Sequence, residues 1–360
     1  MEYVLDVVSF PSASLETEFF RWAHQIWWII VALFNLPGLL FAFNQLAAER
    51  GDLAANSTSE PSTQRLFAYF SLGNLTITIL VRNELLLTFL YWSFNYIPVF
   101  KFQFHRMLHS VGGLHVGAGV GTFIWILVYM SNMYVTTTFE GTWQEWTMRV
   151  TIAILSIGLS IIILTAMRPI RERYHNLWEY THRFLGWFTL LNLVLHVVAK
   201  AATSEPTAIF HTPLPYLTFV CLISVFYIWF TVQKVRISTI SGKGVAIIKF
   251  PGRPTLRDGT FARVSTDFLQ WHAFSVAMTN HSKRDFAIIV GAAGDWTRSL
   301  VNAVASGQGP TMMWIRGVNP PGFMHMHRTF FHLILSDHRR VFQGGNSGYG
   351  RRNCTLSSAN

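Results

Sequence analysis

The chain is short of charge and of cysteine. Only 13% of its 360 residues are Asp, Glu, Lys or Arg, while 51% are hydrophobic and the average hydropathy is positive. That balance excludes an ordinary water-soluble globule. The two cysteines, Cys221 inside an apolar run and Cys354 near the end, supply neither a disulfide framework nor a cysteine metal site. The opening MEYVLDVVSF lacks the basic flank and small-residue cleavage site of a signal peptide, so residues 1–21 are expected to remain as an N-terminal segment. Acidic residues are scarcer than basic ones, 18 against 28, and the resulting +10 collects in short loops and in the last third of the chain. Such a distribution points to membrane topology and an anionic lipid surface rather than to nucleic acid.

What is abundant is apolar sequence in runs of bilayer length, about 20 residues each. Six candidate spans fall within residues 22–233: Trp22–Phe43, which contains Pro37 and is expected to kink there; Leu66–Val81; His105–Met130; Arg149–Met167; Trp178–Ala199; and Leu214–Val232. Segment 85–100 is apolar too, but its length and Pro98 predict an interfacial or re-entrant piece. The loop RPIRERYHN at 168–176, the turn Lys101–Arg106 and the stretch from Lys234 share one side, which the placement of Lys and Arg makes cytoplasmic together with both termini. The sequon Asn56-Ser57-Thr58 falls on the other side, as a glycosylated loop requires.

After Val232 the texture changes. VRIST, VAIIKF, GTFARVST, HAFSVAM, DFAIIVGAA and TMMWIRG are short, β-branched runs between turn residues, and they predict a small β-barrel or sandwich over 234–324. Within it DWTRSLVNAVASG reads as one helix, with Asp295 as N-cap and Gly307 as its end. Residues 325–360 close in a Gly/Ser-rich polar stretch expected to be a remnant and a disordered tail.

The fifth span opens and closes on histidine, HRFLGWFTLLNLVLH. Fourteen residues of helix advance about 21 Å and return to within roughly 40° of the starting face, which sets His182 and His196 on one stripe. The third span, running in the same direction, offers His105, His109 and His115. Ionisable groups in lipid are costly and tend to be functional, and imidazole is a metal ligand. In the same span Gly113, Gly117 and Gly121 recur every four residues, a smooth face suited to a second helix or to a porphyrin ring.

The pattern resembles the ferric reductase and NADPH oxidase superfamily, and within it the fungal TmpA-like branch. His182-Arg183 followed by His196 matches the family's fifth-helix motif, while the third helix departs from it, with Gly119 fourteen after His105 and Phe123 fourteen after His109. The resemblance implies a membrane all-α six-helix bundle followed by a cytoplasmic FAD-binding β-barrel. It implies an inner haem b between His182 and His105 or His109, and an outer one between His196 and His115. It also implies FAD on Trp271-His272-Ala273-Phe274-Ser275, where Ala replaces the family's Pro, with Gly294-Asp295-Trp296-Thr297 facing a diphosphate at a helix start. Arg316, in the stretch 316–322 that replaces a glycine turn, would meet a phosphate. Relatives take electrons from NADPH through a further domain, for which the residues after LILSD are too few. The expected activity is therefore transmembrane electron transfer, from flavin through haem to an acceptor, in the plasma membrane or an endomembrane. Rival readings are a cofactor-depleted regulatory protein of the same fold and, from Arg82 and Glu84 near a span end, a transporter.

Overall fold

The computed structural model describes residues 13–52, 62–94, 107–108, 110–136, 139–203, 208–252, 260–280 and 282–316. The chain divides into two units, Met1–Thr231 and Val232–Asn360. In the first lie α1 (Ala13–Asp52), α2 (Ser62–Leu80), α3 (Glu84–Phe94), α4 (Gly112–Thr136), α5 (Trp143–Ala166), α6 (Arg168–Arg173), α7 (His175–Tyr180), a π-helical turn (Thr181–Leu185), α8 (Gly186–Thr203) and α9 (Leu214–Phe226). A 3-10 turn, Tyr227–Thr231, ends the unit.

Among the described residues five helical stretches are long and apolar enough to cross a membrane: His24–Asn44, Gly112–Tyr134, Trp143–Ala166, His175–Thr203 and Leu214–Thr231. The predicted second span is α2, and its 19 residues cover about 28 Å. It is less apolar for a reason the structure supplies. Thr63, Gln64, Ser71, Asn74 and Thr76 are all buried, and α2 packs against α1, α4 and α9. α1 continues through Pro37 without a break. α3 has only 11 residues, too few to span, as expected for its part of segment 85–100. α5 begins six residues before the predicted Arg149, because Thr142 and Glu145 form a reciprocal capping box: the Glu145 N–H donates to Thr142 Oγ1 and the Thr142 N–H to Glu145 Oε2, both at 3.3 Å.

A polar lock joins three helices. Asn35 and Asn74 exchange amide hydrogen bonds, 3.1 and 2.8 Å, and Trp125 Nε1–H donates to Asn35 Oδ1 at 2.6 Å. Each amide also donates to a carbonyl one turn back, Val31 and Phe70 respectively. Gly121 leaves the room for this, since a Cβ there would lie 2.8 Å from Asn74 Oδ1. Hydrogen bonds between membrane helices contribute about 0.6 to 1.7 kcal/mol each. Asn74→Leu is therefore expected to destabilise the helical unit by about 1–2 kcal/mol, measurable as a lower melting temperature in detergent.

Among its described residues the second unit carries eight strands: β1 (Gln233–Arg236), β2 (Ser238–Gly242), β3 (Val245–Phe250), β4 (Phe261–Ser265), β5 (His272–Ser275), β6 (Ala277–Asn280), β7 (Asp285–Gly291) and β8 (Met312–Arg316), with α10 (Asp295–Ala305) before β8. They form two antiparallel sheets, ordered β1-β8-β4-β5 and β2-β3-β7-β6. Each predicted run supplies strand sequence, but two of them bend. VRIST breaks at Ile237 and HAFSVAM at Val276, and both corner residues are buried with their N–H groups donating to Thr311 and Thr260 carbonyls. The chain thereby passes from one sheet to the other at both edges. Ala246, Ile248, Val264, Phe286, Ile288 and Ile315, drawn from both sheets, share one core closed by Leu300, Val301 and Val304 of α10. That helix is capped one residue earlier than predicted, at Gly294, with Thr297 Oγ1 accepting the Gly294 N–H at 2.8 Å. It ends at Ser306 before Gly307, whose φ of +75° favours glycine.

Candidate functional site

A cavity of about 800 Å³ runs through the helical unit, bordered by α2, α4, α5 and the stretch from α7 to α9. Most of its wall is apolar, from Leu72, Leu75, Ile126, Leu155 and Leu193. Its polar groups converge at two places, one around His182 and one around His196.

His182 stands on the π-helical turn, a widened stretch of backbone of the kind often met at functional sites. Facing it is His115 of α4, with ring centroids 6.0 Å apart and planes at 59°. A metal about 2 Å from one nitrogen of each imidazole separates their centroids by roughly 6 Å, so this pair has the spacing of two axial ligands. The hydrogen bonds agree with that use. His115 Nδ1 lies 2.8 Å from the Thr78 carbonyl, which can only accept, so Nδ1 carries the proton and Nε2 keeps its lone pair. His182 Nδ1 is buried without a hydrogen-bond partner. Gly119 and Gly186 border the same space, and a Cβ on Gly186 would meet nothing within 4 Å. Around this end stand Arg82, Arg171, whose guanidinium lies 5.7 Å from the Trp178 ring, and the ion pair of Arg183 with Glu179. A flat, amphipathic group with carboxylates at one edge suits such a wall.

The second imidazole is differently placed. His196 is buried, its Nδ1 2.9 Å from Thr151 Oγ1 and its Nε2 3.2 Å from the Tyr129 hydroxyl. The pairing of His196 with His115 expected from sequence does not form, because α4 starts only at Gly112 and its first turn sets His115 level with His182. His105 and His109 lie outside the described residues. Among the described residues no group of three or more His, Cys, Asp or Glu converges on a metal position. The glycine stripe serves helix packing: a Cβ on Gly113 would collide with the His24 carbonyl of α1, and one on Gly117 would press on Val31 at 3.2 Å. Tyr129 was not singled out in the sequence, yet it follows His115 by fourteen residues, as His196 follows His182.

In the sheet unit two stretches singled out separately come together. His272 of β5 stacks on Trp296 of α10, centroids 4.1 Å apart and planes at 24°, and Phe274 lies 6.2 Å from the same indole. Alternation along β5 sends Ser275 to the opposite, exposed face, so it does not join them. Thr297 is engaged in the helix cap. Arg316 of β8 lies over Trp271 at 4.4 Å and is directly across from Arg263 of β4, so the two residues share one face of the sheet. The turn before β5 is held by Asp267, which accepts from Ser265 Oγ and from the Leu269 and Gln270 N–H groups. Partial burial pushes its carboxyl upward, but these hydrogen bonds outweigh that and hold it below the usual range.

No family model matches the chain. It is similar to two proteins of Coprinopsis cinerea, adenylate-forming reductase 06235 and adenylate-forming reductase 03009, each 28% identical over 277 residues. Those residues are 73% of this chain and 26% of either relative, so the chain spans about a quarter of the length of the curated relatives it matches. Over most of its length, then, the chain resembles proteins named as reductases.

Proposed function

We propose that the protein is a transmembrane oxidoreductase of ferric-reductase type, in which electrons from a flavin on the sheet unit reach haem in the helical unit and then an acceptor. The observation that carries this reading is the His115–His182 pair, two imidazoles at bis-ligand spacing in a cavity walled by apolar side chains. Haem supplies one-electron chemistry and flavin the change from two-electron to one-electron transfer. The protein's part is to orient and to exclude water. Thr78 sets the His115 tautomer, Arg82 and Arg171 offer cations to carboxylates at the cavity end, and the apolar wall keeps the site dry. On the sheet unit, the aromatic group of His272, Phe274 and Trp296 offers a stacking surface, while Arg263 and Arg316, on the opposite face with Ala273 and Ser275, would offer charge to an anion there. Two sheets continuous at both edges support the reading of a flavin-binding barrel. Six spans with both termini in the cytoplasm fit the five apolar helices together with α2. In relatives of the proposed family NADPH is the donor; here the donor is the partner to be identified.

A second reading is favoured by one observation. His196 has both nitrogens engaged and Trp296 already covers His272, as in a protein that keeps the fold without the cofactors and acts as a regulator. One spectrum separates the two. The protein purified in detergent is expected to show a Soret band that shifts on reduction, together with flavin fluorescence after denaturation. A colourless protein without flavin leaves the regulatory reading.

A further inference from the structure

His115 and Tyr129 on α4 face His182 and His196 on the neighbouring helix with the same fourteen-residue step. The two helices therefore present two matched rungs about 21 Å apart. The inner rung is imidazole against imidazole. The outer rung is phenol against imidazole, and its hydroxyl oxygen lies 3.2 Å from His196 Nε2. Two donor atoms on opposite sides of one metal stand about 4 Å apart, so the outer rung as built leaves no room for an iron between phenol and imidazole. It closes the far end of the cavity with a hydrogen-bonded pair instead.

We propose that the outer half of this cavity binds a small lipid-soluble molecule bearing a ring carbonyl, a quinone in chemical class, with its oxygen on the Tyr129 hydroxyl. This deepens the electron-transfer reading and, as regards the role of the ligand as acceptor, rests on it. Tyr129, His196 and Thr151 are 3%, 6% and 4% exposed, so the polar group is built into the interior rather than left at a surface. The Thr151 hydroxyl lies 2.6 Å from the Thr147 carbonyl, to which it donates. It therefore accepts from His196 Nδ1–H, and Nε2 accepts from the Tyr129 O–H. The same heavy atoms also support the reversed chain, in which Thr151 donates to Nδ1, Nε2–H donates to Tyr129, and the phenol O–H turns to a carbonyl in the cavity. Imidazole permits this by exchanging tautomers, so a carbonyl can be received without leaving a buried polar atom unpaired. The surrounding wall of Ile126, Leu155 and Leu193 is apolar, and Lys200, one turn beyond His196, adds a cation at this end, which suits an apolar ring with polar oxygens at its edge.

The test uses the full chain in detergent, titrated with decylubiquinone while tryptophan fluorescence is followed, with decylbenzene as the guest of equal tail and no carbonyl. Saturable quenching is expected with decylubiquinone alone. Tyr129→Phe is expected to weaken it about fivefold or more, the worth of one buried hydrogen bond. Thr151→Val, which removes the anchor of the imidazole without touching the cavity wall, is expected to weaken it in the same direction. His182→Ala is expected to bind the quinone as the parent does. Equal affinity in parent and Tyr129→Phe overturns the proposal, as does equal quenching by decylbenzene. So does a Tyr129→Phe protein that loses its Soret band as fully as His182→Ala, since the outer rung then belongs to a haem site. Tyr129-dependent quinone binding in a parent protein without a Soret band upholds the pocket and sinks the haem reading instead.

Discussion

Replacing His182 with alanine is expected to remove the Soret band of the purified protein completely, and His115→Ala is expected to do the same. The two ring centroids lie 6.0 Å apart, so on the proposed electron-transfer reading each variant removes one of the two imidazoles that would hold a haem. Neither change should unfold the bundle. His182 Nδ1 has no hydrogen-bond partner to lose, and His115 gives up one bond to the Thr78 carbonyl at the end of α2. His196→Ala separates this account from the two-haem pattern implied by the family resemblance. Haem content measured per chain is expected to stay at the parent value in that variant, because His196 is held by Tyr129 and Thr151 and faces no second imidazole among the described residues. A proportional loss of haem in His196→Ala and retention in His182→Ala would reverse the assignment of the two rungs.

Phe286→Ala is expected to cost the sheet unit about 3–5 kcal/mol, the range for truncating a buried aromatic. Phe286 is fully buried on β7, which pairs on both sides, with β3 and with β6. Its ring stacks on Phe250 with centroids 4.8 Å apart and planes at 4°. Truncation opens a void where residues from both sheets and α10 meet. Phe286→Leu, which keeps most of the volume, is the control and should cost markedly less. The readout is limited proteolysis of the full chain in detergent. The alanine variant is expected to be cut within residues 232–316 while the helical unit persists, and the leucine variant to resist.

The periodic parts of this fold were legible in the sequence, for physical reasons that can be named. Runs of about 20 apolar residues have one economical use, and every β-branched run after Val232 contributes to a strand. Legibility weakened where a residue's role depends on what faces it. Gly113, Gly117 and Gly121 allow a helix or a porphyrin equally until the His24 carbonyl and Val31 are seen against two of them. α2 looked marginal as a span because its Thr, Gln and Asn side chains count against it in a hydropathy sum, although they point into protein. His115 was expected opposite His196 and stands opposite His182, because its level along the bundle depends on the helix starting at Gly112 rather than at His105. WHAFS and GDWT could be singled out separately, yet only the packing of α10 on β5 brings His272 onto Trp296. Ser275 reads as part of the same motif and is turned away by strand alternation.

The amide pair of Asn35 and Asn74, with the Trp125 indole, has a consequence for how the protein is made. Newly inserted apolar helices can slide and roll against one another with small penalties, since lipid tails serve each face about equally well. A roll by one residue on α1, about 100°, would strand both amides and the indole N–H in hydrocarbon at once. The trio thus favours a single rotational alignment of α1, α2 and α4 over the many that lipid alone would allow.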